Sequence, residues 1–431
     1  MLELYDAALS AASPGAATAR AVEALPISRD ARVWIFAFGK AATPMATAAV
    51  TSLLRSLHAI VGGVIVTPDG AASPYPTLVS MRGDHPVPGI HSFAASAKIA
   101  EVSAGRRGND VAVVLISGGT SSLIGAPLKG MSESDLVELY DLLLGAGLDI
   151  AETNAIRKRF SRWGGGRLAL ALAPAATHCL AVSDVAGDDL AIIGSGPCVP
   201  DSMSAEDVKA ILERAGLLNR IPAAHRELLA SVKRGTVPET PSKSHPAFAH
   251  VTARVIGNNR NALDGIAASA RDKGIETDVI DERLAGDAGT AGETFARHLL
   301  ALRNAGVSRR CVVWGGEATV DLGKGSSAGH HSGGGRCQEL ALAASRILGA
   351  SADEARGIVL LAAGTDGRDG ATDAAGAIVD ATTWSTIADA GRDPMHALAS
   401  HESNGALRLA DALIPRRDTG TNVNDVVIGI V

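Results

Sequence analysis

Val111–Gly125 reads VAVVLISGGTSSLIG: six apolar residues in succession, then a serine, two glycines and three hydroxyls before the chain turns apolar again. A strand with one wet face alternates polar and apolar residues, whereas an unbroken apolar run is buried on both faces. Short β-rich runs, each ending in small or polar residues, recur in VWIFAFGK (Val33–Lys40), HCLAVSDV (His178–Val185), HVTARVIGNN (His250–Asn259), CVVWGGEAT (Cys311–Thr319), GIVLLAAGTDG (Gly357–Gly367) and the terminal VVIGIV. Between these runs lie Ala- and Leu-rich segments with helical spacing, such as SESDLVELYDLLLGAG and GETFARHLLALRNAG. Buried strands alternating with helices predict an α/β fold with a parallel sheet covered on both faces. Ligands in such folds sit at the carboxyl ends of the strands, and here those ends collect Gly, Ser, Asp and Lys.

The chain has 431 residues, 46% hydrophobic but only 3% aromatic, so its cores are built from Ala, Val, Leu and Ile. A formal charge of -6 argues against a general nucleic-acid binder, which needs a basic surface. The local cluster RKRFSR (Arg157–Arg162) suits a small anion better than a polymer. Four cysteines (Cys179, Cys198, Cys311, Cys337) form no CxxC pair and read as small buried residues. The first 25 residues read as an amphipathic helix without a signal-peptide pattern, and no stretch is long and apolar enough to span a membrane. A cytoplasmic protein is expected. The Pro-, Ser- and Lys-rich 233–247 reads as a linker, giving expected domains 1–238 and 248–431.

Six motifs carry candidate chemistry. After Val111–Ile116, free backbone N–H groups at a glycine turn and helix start suit an anion, with Ser121 and Ser122 as further donors. The alternative is a capped strand–helix turn. Lys40, between a strand and a helix, is placed to reach a phosphate or carboxylate, or else is a solvated lysine. Asp366, Asp369 and Asp373 share a glycine-rich loop and suit Mg²⁺ or a general base; Ala377 at the twelfth position excludes an EF-hand. SDVAGDDL carries Asp184, GGEAT carries Glu317, and GGGRCQE carries Arg336, whose planar fork matches carboxylate or phosphate. His330 and His331 are a further metal candidate, read rather as polar loop residues. GGGRLA (Gly164–Ala169) mimics a dinucleotide fingerprint, but a basic helix precedes it instead of a strand. This inventory of cations, backbone donors and carboxylates is what phosphoryl transfer requires.

FGKAA, GDHPVP (Gly83–Pro88), ISGGTSSL, NAIRKRFSRWGGGRLA, SDVAGDDLAIIGSGP, GGEATV, GGGRCQELAL, AAGTDGRDGATDAAGAIVD and TGTNVNDV together resemble the class II glycerate kinase family, also described as the MOFRL family. The resemblance runs from Lys40 to the carboxyl end. It implies two α/β domains: a Rossmann-like three-layer N-terminal one with a mostly parallel sheet, and a smaller C-terminal one, with the active site in the interdomain cleft. It implies Mg²⁺- and ATP-dependent phosphorylation of D-glycerate, usually at the 2-hydroxyl. By motif, Lys40, Arg336 and Asp366 are the implied catalytic residues. Gly118, Gly119, Ser121 and Ser122 would face nucleotide phosphates, Arg157 and Lys158 would contact glycerate, and Asp184 and Glu317 would be metal ligands. Members often carry a Lys-Gly pair where SRWGGGR stands here, which leaves the role of Arg167 open. The expected partners are D-glycerate and a nucleotide, with a homodimer left open, and neither nucleic acid nor membrane. Some members are labelled hydroxypyruvate reductases, so NAD(P)H-dependent reduction is the alternative, ahead of a non-catalytic anion-binding protein.

Overall fold

The computed structural model describes residues 1–321 and 333–431. The chain divides into two compact units, 14–257 and a smaller one made of 258–431 together with 1–13.

The larger unit is built on six parallel strands: β1 (Arg32–Phe38), β2 (Ala59–Thr67), β3 (Leu78–Arg82), β4 (Asp110–Ile116), β5 (Ala176–Val182) and β6 (Val251–Gly257). They lie in the order β3-β2-β1-β4-β5-β6, and all five pairings are parallel. Every residue of β4 is buried, as its unbroken apolar run requires. This is the doubly wound arrangement, in which strand order reverses between β1 and β4.

The smaller unit carries β7 (Glu276–Val279), β8 (Arg310–Gly316), β9 (Val359–Gly364), β10 (Ala374–Asp380), β11 (Leu413–Pro415) and β12 (Asp425–Ile430), ordered β11-β10-β9-β12-β8-β7. Among these described strands only β7 and β8 pair in parallel; the other four pairings are antiparallel. The alternation of apolar runs with helices predicts a parallel sheet, which the larger unit has, whereas the sheet of this unit is mixed. The nine residues 365–373 between β9 and β10 are too few for a crossover, which takes a dozen or more. Helices Ala288–Asn304 and Arg336–Ala350 bury Phe295, Leu299, Leu340 and Leu348 against this sheet.

The domain boundary also differs from expectation. The predicted linker 233–247 lies inside the larger unit, because β6 beyond it completes that unit's sheet. The expected amphipathic N-terminal helix is two helices, Leu2–Ala11 and Pro14–Glu23, divided at the Pro14 helix start and assigned to different units. All four cysteines are free and buried. No described helix is long and apolar enough to cross a membrane.

Candidate active site

The carboxyl ends of β1 and β4 are neighbours whose onward connections leave in opposite directions, which opens a crevice above the sheet. Two loops close its floor. Gly39 has φ +119°, and a Cβ there would lie 2.2 Å from Ser117 Oγ, so no larger residue fits. The Lys40 N–H donates to Gly118 O at 2.9 Å and the Ala41 N–H to Ser117 Oγ at 3.0 Å. The Thr120 hydroxyl sits 2.9 Å from Phe38 O and 2.8 Å from Ser117 O. The Lys40 residue itself is exposed at the mouth.

Gly119 takes φ +89° and leads into a single turn of helix, Thr120–Leu123. One turn has too few aligned peptides for a strong macrodipole. The unpaired donors lie in the loop instead: among the described residues no backbone carbonyl accepts from the N–H groups of Gly118, Gly119 or Ser121. Successive N–H groups in such a turn form a concave donor nest. Ser121 Oγ is 2.8 Å from Ser195 Oγ, which reaches Asn154 Oδ1 at 3.4 Å. Ser195 holds a left-handed φ of +64°, a strained conformation for a serine. Ser122 is buried and its hydroxyl donates back to Gly119 O at 3.2 Å, so it shapes the loop from beneath.

Two more side chains meet this loop, and a third lies near them. A Cβ on Gly118 would lie 2.3 Å from Asp184 Oδ2, and one on Gly119 would lie 3.1 Å from His85 Cδ2. Burial, Lys40 and Arg157, in that order, lower the pKa of His85. Arg157 projects from helix Ile150–Phe160 and lies 4.7 Å from the centre of the Tyr140 ring. Its neighbour Lys158 points elsewhere: it is buried, with Nζ 2.8 Å from Asp201 Oδ1. Arg167 is structural. Its guanidinium donates to the carbonyls of Lys158, Ser161, Gly164 and Arg159 at 2.7, 3.1, 3.2 and 3.2 Å, fixing the end of the helix that carries Arg157. GGGRLA thus joins two helices, as its lack of a preceding strand predicts.

The smaller unit holds a second constellation. Arg336 opens helix Arg336–Ala350 and grips Asp425 in a bidentate pair, Nε to Oδ2 at 2.6 Å and Nη2 to Oδ1 at 2.9 Å. Its Nη1 lies 2.9 Å from Glu317 Oε1. Burial pushes the Asp425 carboxyl up to about 6, with Arg336 pulling the other way. Glu317 is thereby committed to a cation, which does not fit a metal ligand. Of the three loop aspartates, Asp369 is buried and accepts from the N–H groups of Cys337 (3.0 Å) and Gln338 (2.8 Å), capping the same helix. Asp373 is 2.7 Å from Arg408. Asp366 is half-buried and accepts the Arg368 N–H at 3.0 Å. His330 and His331 lie outside the described residues. Among the described residues no three acidic, His or Cys side chains gather to hold a metal by themselves.

Sequence reasoning assigns no role to His85 or Asp425. Both stand in recognisable motifs, GDHPVP and TGTNVNDV, but only the fold brings them to Gly119 and Arg336.

Residues 1–230 match a domain of unknown function, DUF4147, and 310–425 match the MOFRL family. A D-glycerate 2-kinase of Thermotoga maritima is 36% identical over 95% of this chain and 93% of its own. A relative from Agrobacterium vitis, provisionally named a hydroxypyruvate reductase, is 35% identical over 98% of this chain and 92% of its own. The crystal structure of a glycerate kinase from Thermotoga maritima superposes with a TM-score of 0.86 at 34% identity, covering 100% of this chain and 98% of that one.

Proposed function

We propose that this chain, which belongs to the MOFRL family of glycerate 2-kinases, transfers the γ-phosphoryl group of ATP to the 2-hydroxyl of D-glycerate. The observation that carries the reading is the set of free N–H groups of Gly118, Gly119 and Ser121, with the Lys40 backbone bonded to Gly118, at the strand-order reversal of the larger unit. Phosphoryl transfer is catalysed by positioning and charge neutralisation rather than covalent chemistry. The loop N–H groups would hold phosphate oxygens, and the Lys40 ammonium would neutralise charge on the group in transfer. Asp184 lies against Gly118, where a carboxylate suits Mg²⁺, an ion bound through one or two carboxylates plus phosphates. Such an ion, held by Asp184, would supply charge neutralisation. To Asp366 we assign acceptance of the hydroxyl proton, and to Arg336, pre-oriented by Asp425, the second cation. Lys158 and Ser122 have no direct part in this reading, because both are turned into the fold.

The test is incubation of the purified protein with D-glycerate, ATP and Mg²⁺, with the product identified by phosphorus NMR. A 2-phosphoglycerate signal is expected, and 3-phosphoglycerate would correct the position of attack. NAD(P)H oxidation by hydroxypyruvate without any phosphorylated product would replace the kinase with the reductase. Lys40→Ala should lower turnover by roughly 10³-fold, the scale on which removal of an electrostatic stabiliser acts. Near-normal turnover in that variant would remove Lys40 from the mechanism.

A further inference from the structure

The geometry points to His85 as a further ligand-contacting residue, its imidazole donating to an oxygen of the anion held on the Gly118–Ser121 loop. This rests on the reading of that loop as a phosphate cradle.

GDHP leaves β3 and is pressed onto the loop. A Cβ on Gly83 would lie 2.5 Å from Leu123 O, so the segment runs backbone to backbone against the one-turn helix. The Gly83 N–H donates to Thr67 O at 2.9 Å. Asp84 faces away from the crevice, accepting from the His91 N–H (2.9 Å) and the Ser92 N–H (3.3 Å), with His91 Nδ1 at 2.9 Å. These contacts fix the residue before His85 and the one before that. His85 is left exposed over Gly119, with Nε2 3.5 Å from where a Cβ would stand. No hydrogen bond to either of its ring nitrogens is found among the described residues.

The charged groups around it are Lys40 from the end of β1, Arg157 from helix Ile150–Phe160, and Asp184 at the end of β5 over the adjacent Gly118. Burial first, and then the two neighbouring cations, lower the pKa of the imidazole and so favour its neutral form. A neutral imidazole still offers one N–H, and a bound dianion offsets the repulsion that keeps the second proton off. Anion binding and proton uptake by His85 are therefore linked.

The experiment titrates ADP and inorganic sulfate into the wild-type chain, His85→Ala, His85→Gln and Lys40→Ala by calorimetry at pH 6 and pH 8. The His85 Hε1 resonance, assigned by its loss in the variants, is followed by NMR. Sulfate is useful because it does not itself titrate in this range. His85→Ala should weaken ADP binding by about ten- to a hundredfold, the range for a hydrogen bond to a charged group. His85→Gln, which keeps a donor, should recover part of that affinity but none of its pH dependence. The wild-type His85 resonance should titrate at higher pH once sulfate is added. If Lys40→Ala loses affinity while both His85 variants bind within twofold of wild type, the cradle stands and His85 is not part of it. A resonance whose midpoint ignores sulfate overturns the linkage. If the wild type binds neither probe, the phosphate cradle falls and His85's role falls with it.

Discussion

His225 is fully buried beside Phe160, its ring edge-on at 4.5 Å, and neither ring nitrogen has a hydrogen-bond partner among the described residues. Burial lowers its pKa to about 4, with Asp135 opposing weakly. The unfolded chain therefore takes up a proton near pH 6.5 that the folded chain refuses until about pH 4. Stability is present above pH 6.5 and drains away as pH falls between these values. By pH 5 the loss is about 2 kcal/mol, at 1.36 kcal/mol per pKa unit. His225→Leu should remove this term, so urea midpoints measured at pH 8 and pH 5 should lie closer together in the variant. An unchanged pH slope would assign acid sensitivity to other groups. Such a residue shows where residue-scale reading stops. Lys40 and Gly118 stand at the ends of apolar runs, so their place at the carboxyl edge of the sheet is legible. Arg157 and Lys158 are adjacent in sequence, yet one lies over the Tyr140 ring, near enough to lower the pKa of His85, and the other pairs with a buried aspartate. The turn of the helix decides between them, and a basic run does not reveal its phase.

At the scale of elements, the apolar runs located strands in both sheets but not their relative direction. Burial on both faces produces the same unbroken run whether neighbours are parallel or antiparallel; the informative quantity is the length of connection. The nine residues between β9 and β10, which include Asp366 and Asp369, carried that signal. Glycine-rich segments were equally two-edged. ISGGTSS forms the donor nest, whereas WGGGR is a helix junction held by Arg167. The Arg167 guanidinium donates to four carbonyls in a planar fork that an ammonium cannot reproduce, and burial lowers its pKa to about 10. Arg167→Lys should cost about 2 kcal/mol through carbonyls left unpaired, read as a lower urea midpoint. Because the clamp fixes the helix end carrying Arg157, the variant should also raise KM more than it lowers kcat. A stable variant with unchanged KM would mean that Arg157 needs no such support.

At the scale of the whole molecule, the smaller unit is discontinuous: its first helix is Leu2–Ala11, 247 residues before the rest resumes at Asn258 (258 − 11). Sequence periodicity identified an amphipathic helix there but could not say which core its apolar face completes. The Tyr5 hydroxyl donates to Gly364 O at 2.6 Å, and Thr421 Oγ1 to Ala12 O at 2.8 Å. The helix also approaches helix Asn259–Asp272 closely, since a Cβ on Gly265 would lie 2.4 Å from Ala11 Cβ and 2.7 Å from Ala7 O. Removing the helix would bare the apolar groove that Leu4, Tyr5 and Ala8 now fill. Burying such side chains contributes about 1.5–3 kcal/mol for the larger ones, a sizeable share of a small domain's stability. A fragment of 258–431 alone should therefore unfold at clearly lower urea than the same fragment with 1–13 joined by a flexible linker. It should also bind a hydrophobic dye that the joined form excludes. Tyr5→Phe in the full chain isolates one contact, with an expected cost of about 1 kcal/mol for the buried hydrogen bond. If the two fragments unfold alike, the helix is an accessory and the unit closes its core without it.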